Sequence, residues 1–141
     1  KYNIPPEWLQ LELTESAYTG NPKAIKEMME QLQKKGFSIL MDDFGSGYSS
    51  LNVLKDIAVD VLKIDMKFLS KGKDDGRGEK ILAAVIQMAK ALDMPVIAEG
   101  VEEKKQVQML KRLGCNYIQG YYFAKPMPQE DYERLARKSH E

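Results

Sequence analysis

Five short apolar runs recur along this chain, and the stretches between them carry helical periodicity. The runs are WLQLEL (8–13), FSILMDDF (37–44), VDVLKID (59–65), PVIAEG (95–100) and NYIQGYYF (116–123). Each has the length of a strand, and several are rich in β-branched or aromatic residues, so a strand is expected at each. Strands that alternate with helices build a parallel sheet from right-handed βαβ units. The expected class is therefore α/β.

The intervening segments support that reading. PKAIKEMMEQLQKKG places Ile25, Met28, Met29 and Leu32 on one helical stripe, with Pro22 at its start and Gly36 at its end. EKILAAVIQMAKALD repeats the stripe through Ile81, Val85, Met88, Ala89 and Leu92, and EEKKQVQMLKRLG does so through Val107, Leu110 and Leu113, stopping at Gly114. A shorter SSLNVLKDI and a terminal QEDYERLARK complete the set. Methionines on such stripes are core filler. No low-complexity segment or interdomain linker interrupts the pattern, and SKGKDDGRG (70–78) reads as a solvated loop.

Composition narrows the classes of function. With 43% hydrophobic and 30% charged residues in 141, the chain has the profile of one globular domain. Lysine plus arginine equals aspartate plus glutamate at 21 each, so no basic field exists to gather a nucleic-acid polymer. One cysteine, Cys115, and one histidine, His140, leave no disulfide framework and no Cys/His zinc cluster. No apolar run reaches the roughly 18 residues of a membrane span, and KYNIPP does not resemble a signal peptide. The cytoplasm is the expected compartment, and a start without methionine suggests a piece of a longer protein.

Polar residues fall at one end of every run: Glu12, the pair Asp42 and Asp43, Lys63 with Asp65, Glu99, and Gln119. In a parallel α/β sheet the C-terminal strand edges lie together on the face where such folds keep their sites. Asp65, Ser16 and Ser49 also stand where helices begin, so N-capping accounts for them equally well. Capping does not account for the converging Glu12, Asp42, Asp43 and Glu99, whose like charges call for a counter-ion. Oxygen ligands without histidine or cysteine suit a hard divalent cation, Mg²⁺ or Mn²⁺. Adjacent Asp42 and Asp43 suit two such ions, as used in in-line phosphodiester cleavage. Lys63 has two readings, orienting a water or phosphate or forming a salt bridge to Asp42 or Glu99. FGSGY is a weak phosphate-cradle signal, since it lacks a P-loop lysine.

Taken in order, LELTES, DDFGSGYSSL, LKID, IAEGVE and IQGYYFAKPM closely resemble the C-terminal part of the EAL domain family. Its members are bacterial signalling phosphodiesterases that open cyclic di-GMP to linear pGpG on a (β/α)₈ TIM-type barrel with Mg²⁺ or Mn²⁺. The resemblance implies that Glu12 and Asp42 ligate a first metal, with Asp42 shared and Asp43 on a second. It assigns Lys63 to the attacking water, Glu99 to the second metal or to general-base work, and Gln119 to the hydrogen-bond network around metal and water. Glu15 matches the glutamate that anchors the DDFGSGYSS loop, which in the family also meets a partner subunit. GSG stands here where the family usually has GTG, and the hydroxyl is kept.

The Glu-Ala-Leu motif that names the family is absent, as is the strand bearing an asparagine ligand. Both belong to the N-terminal part of the barrel. A TIM barrel typically takes roughly 250 residues, so residues 1–141 are expected to form a partial barrel of about five strands without the N-terminal ones. Open strand edges and an uncovered apolar face imply association with a second copy, through those edges or the Asp43–Leu51 loop. The implied function is hydrolysis of cyclic di-GMP in a longer parent, either cytoplasmic or a larger membrane-attached signalling protein, with weak or no activity from this chain alone. The alternative is a degenerate module acting as a cyclic di-GMP receptor or a protein-interaction scaffold.

Overall fold

The structure, a computed structural model, describes residues 3–42, 44, 50–67 and 76–138. Asp43, the glycine-serine turn 45–49, most of the 70–78 loop, His140 and the side chain of Glu15 lie outside the described residues.

Five strands form one sheet in the order β1-β2-β3-β4-β5, every neighbouring pair parallel. They are β1 (Gln10–Thr14), β2 (Ser38–Asp42), β3 (Val61–Asp65), β4 (Val96–Glu99) and β5 (Tyr117–Ile118). Helices α1 (Glu15–Gly20) and α2 (Pro22–Lys34) join β1 to β2, and α3 (Ser50–Asp56) lies between β2 and β3. Helix α4 (Arg77–Ala91) lies between β3 and β4, α5 (Lys104–Leu113) joins β4 to β5, and α6 (Gln129–Lys138) follows. The α/β alternation read from the sequence is the architecture observed.

Local chemistry explains most of the boundaries. Asn21 caps α2 by accepting from the Ala24 amide at 3.2 Å, and Pro22 opens the helix with a φ already suited to it. Glu103 and Gln106 form a reciprocal capping box at the start of α5, and Gly114 ends it at φ 78°. Three boundaries differ from the sequence reading. The first strand begins at Gln10, because Pro6–Trp8 form a single 3₁₀ turn. Helix α1 starts at Glu15, so Ser16 lies inside its first turn, with its hydroxyl 3.2 Å from that of Thr14 at the cap position. The last strand has only Tyr117 and Ile118, because the chain turns at Gly120, where Phe123 N donates to Gly120 O at 3.1 Å.

Alternation along the strands gives the sheet two different faces. Leu13, Ile39, Met41, Leu62, Ile64, Val96 and Ala98 point to the helices and are buried with Met29, Leu82, Ile86, Val107 and Leu110. Met28, expected on the same stripe as Met29, is 47% exposed, so α2 buries a narrower face than its methionines suggested. Glu12, Asp42, Lys63, Asp65 and Glu99 belong to the other face.

At the N-terminal edge, two side chains extend the sheet beyond its strands. Asp60 donates its amide to Ile39 O at 2.9 Å, while its carboxylate accepts from Ile39 N at 2.7 Å and Gln33 Nε2 at 3.0 Å. Asn116 does the same for β4 by accepting from Val96 N at 2.9 Å. Both polar groups satisfy backbone donors that would otherwise be stranded where the pairing ends, so the polar residues of this edge are structural.

Candidate functional site

Register decides which polar groups meet at the opposite edge. Glu12 pairs with Leu40 and Thr14 with Asp42, so Asp42 stands one full side-chain repeat above Glu12. On the other side Lys63 pairs with Ile97 and Asp65 with Glu99, which sets Glu99 one repeat above Lys63. This stagger brings the long Lys63 side chain up between carboxylates from three different strands.

Its ammonium lies 2.7 Å from Glu12 Oε1, 3.1 Å from Glu99 Oε2 and 3.7 Å from Asp42 Oδ1. Lys63 is the one buried charged residue among those described, at 8% exposure, whereas the Glu12 side chain is 48% exposed. Burial alone would lower its pKa. The hydrogen bonds to Glu12 and Glu99, with the charges of Glu99 and Asp42, outweigh that and raise it above the ordinary 10.5. The lysine is therefore a fixed cation at neutral pH.

The sequence left Lys63 between a chemical role and a salt bridge to Asp42 or Glu99. Both of those contacts occur, and Glu12 adds a third, the nearest. Asp65 Oδ1 accepts a local bond from Lys67 N at 2.8 Å, and Lys63 makes no ion pair with it among the described contacts. Gln119 reaches the same edge through its backbone, its amide donating to Ala98 O at 2.8 Å and its carbonyl accepting from Val101 N at 3.2 Å, and the residue is exposed.

Three carboxylates against one ammonium leave two negative charges, which one divalent cation would balance. Oxygen donors of this kind fit Mg²⁺ or Mn²⁺ chemistry. Among the described residues, however, no three acidic, histidine or cysteine groups are grouped closely enough to hold a metal by themselves. The carboxylates close on Lys63 instead.

The EAL domain family profile matches residues 1–126. The chain belongs to the EAL domain family. It is 38% identical over 137 residues to the probable cyclic di-GMP phosphodiesterase PdeB of Escherichia coli, covering 97% of this chain and 26% of that protein. The solved PaMucR phosphodiesterase complex with c-di-GMP superposes with a TM-score of 0.84 at 39% identity, covering 93% of this chain and 53% of that one. A manganese and c-di-GMP complex of Klebsiella pneumoniae BlrP1 superposes with a TM-score of 0.79 at 28% identity, covering 87% and 31%. The chain spans only 17–34% of the length of its curated relatives, so in them this EAL segment is one part of a larger protein. No helix among the described residues is long and apolar enough to cross a membrane.

Proposed function

We propose that this chain is the C-terminal part of a cyclic di-GMP phosphodiesterase barrel and supplies half of its metal site. The observation that carries the reading is the convergence of Glu12, Asp42 and Glu99 on Lys63 at the C-terminal sheet edge. The c-di-GMP-bound and manganese-bound structures among its relatives support the substrate and the cofactor. Glu12 and Asp42 would hold a first Mg²⁺ or Mn²⁺, and Asp42 with Asp43 a second. When bound, the metal pair would neutralise phosphate charge and lower the pKa of the attacking water.

The chain's own residues do the positioning. Lys63, held by its three carboxylates, presents a fixed positive charge to the water or to the phosphate oxygens. Glu99 takes the proton of the attacking water or completes the second metal's ligands, and Gln119 donates a hydrogen bond to the same network. Water adds to phosphorus, the 3′-oxygen leaves with a proton, and cyclic di-GMP becomes linear pGpG. Glu15 is assigned by the family resemblance to anchoring the loop that carries Asp43. In a complete barrel of this family further strands would pair with the outer edges of β1 and β5, as a second copy of the chain also could. The protein works in the cytoplasm, where a diffusible nucleotide messenger is accessible.

Incubating the protein with cyclic di-GMP and Mn²⁺ and resolving the products by chromatography tests the reading. Slow formation of pGpG, abolished by chelator, is the expected result; brisk turnover would show that the remaining ligands are dispensable. A cyclic di-GMP receptor is the second reading, favoured by the closure of the carboxylates on Lys63. It predicts binding of cyclic di-GMP with no pGpG at any Mn²⁺ concentration.

A further inference from the structure

The loops after β4 and β5 are locked together by their backbones. Val101 N donates to Gln119 O at 3.2 Å, and Tyr122 N donates to Val101 O at 3.0 Å. The Val101 side chain is fully buried. Gly120 lies between the two bonded positions, and a Cβ there would stand 2.7 Å from the Val101 carbonyl carbon and closer still to its oxygen and nitrogen. These are backbone atoms with no side-chain freedom to yield, so any larger residue must drive the loops apart.

One end of this lock is Glu99, two residues before Val101; the other is Gln119, next to Gly120. We infer that Gly120 is a positioning residue: its close approach to Val101 fixes Gln119 against Glu99 and so sets the spacing of the two groups that flank the water. The inference rests on the functional reading above. It concerns the glycine and the loop contact rather than the groups assigned to metal or water.

Gly120→Ala displaces Gln119 by up to about 1 Å, an error that costs about 100-fold in rate when it separates groups acting on one atom. The test has two arms, with Leu110→Ala, a fully buried helix-side core variant, as the comparison. In native-state hydrogen exchange, Gly120→Ala is expected to speed the Val101 and Tyr122 amides by about tenfold or more while leaving the Leu62 amide unchanged. In turnover of cyclic di-GMP with Mn²⁺, it is expected to lower kcat about 100-fold with KM within a factor of about three. Leu110→Ala should lower Tm and keep kcat within a factor of about three.

Unchanged exchange at Val101 and Tyr122 in Gly120→Ala would overturn the inference. So would equal losses of kcat in the two variants, since that pattern belongs to general destabilisation. A wild-type protein that binds cyclic di-GMP without turnover would favour the receptor reading, and the exchange arm would still decide whether Gly120 holds the loops.

Discussion

Lys63→Met will destabilise the protein by about 3 kcal/mol at neutral pH, the lower end of what removing one partner from a buried ion cluster costs. The lower end applies because the Glu12 carboxylate is 48% exposed and water relieves part of its charge. Methionine keeps the length and apolar stem, so packing changes little and the loss isolates the charge. Without the ammonium, Glu12, Asp42 and Glu99 face one another with like charge. Urea unfolding at pH 7 measures the loss, and a difference below about 1 kcal/mol would mean that solvent already screens the cluster.

The pH dependence has a definite sign. A lysine whose pKa is raised in the fold contributes its stability at every pH below its ordinary 10.5 and loses it only as the pH climbs through the raised value. The wild-type contribution is therefore flat from about pH 6 to 9.

Glu99→Gln is expected to reduce turnover of cyclic di-GMP by about 10²- to 10⁴-fold, the range for loss of a general base. Glutamine retains an oxygen that accepts from Lys63, 3.1 Å from the present carboxylate, so stability should change by no more than about 1 kcal/mol. Rate and stability are thus predicted to part company at this residue. Steady-state kinetics paired with thermal unfolding tests this, and a variant with near wild-type kcat would remove Glu99 from the chemistry.

Much of the architecture was legible because each element carries its own punctuation. Pro22, Gly36 and Gly114 mark helix ends that depend on local backbone chemistry alone, and the five apolar runs specify five strands. The truncation of β5 was not legible, because NYIQGYYF is as apolar and aromatic as a longer strand. What ends it is the turn at Gly120, held by its close approach to Val101 in the neighbouring loop. Helix α1 was missed for the related reason that ESAYTG is too short to show a period.

At the site, the polar strand ends announced which residues share an edge. Their mutual contacts depend on the stagger between strands, which places Glu12 opposite Leu40 and Lys63 opposite Ile97. No linear spacing encodes that offset. Lys63 consequently looked like a group with one partner, whereas it is the centre of three. The Val101 and Gly120 lock left only a faint trace in the chain, a glycine next to a polar residue at a strand end.

The central claim is that these carboxylates form part of a divalent-cation site, and titrating the protein with Mn²⁺ by electron paramagnetic resonance tests it most directly. The account predicts weak, saturable Mn²⁺ binding that Asp42→Asn abolishes while the fold remains intact. Absence of saturable binding, or binding that survives Asp42→Asn unchanged, would contradict it.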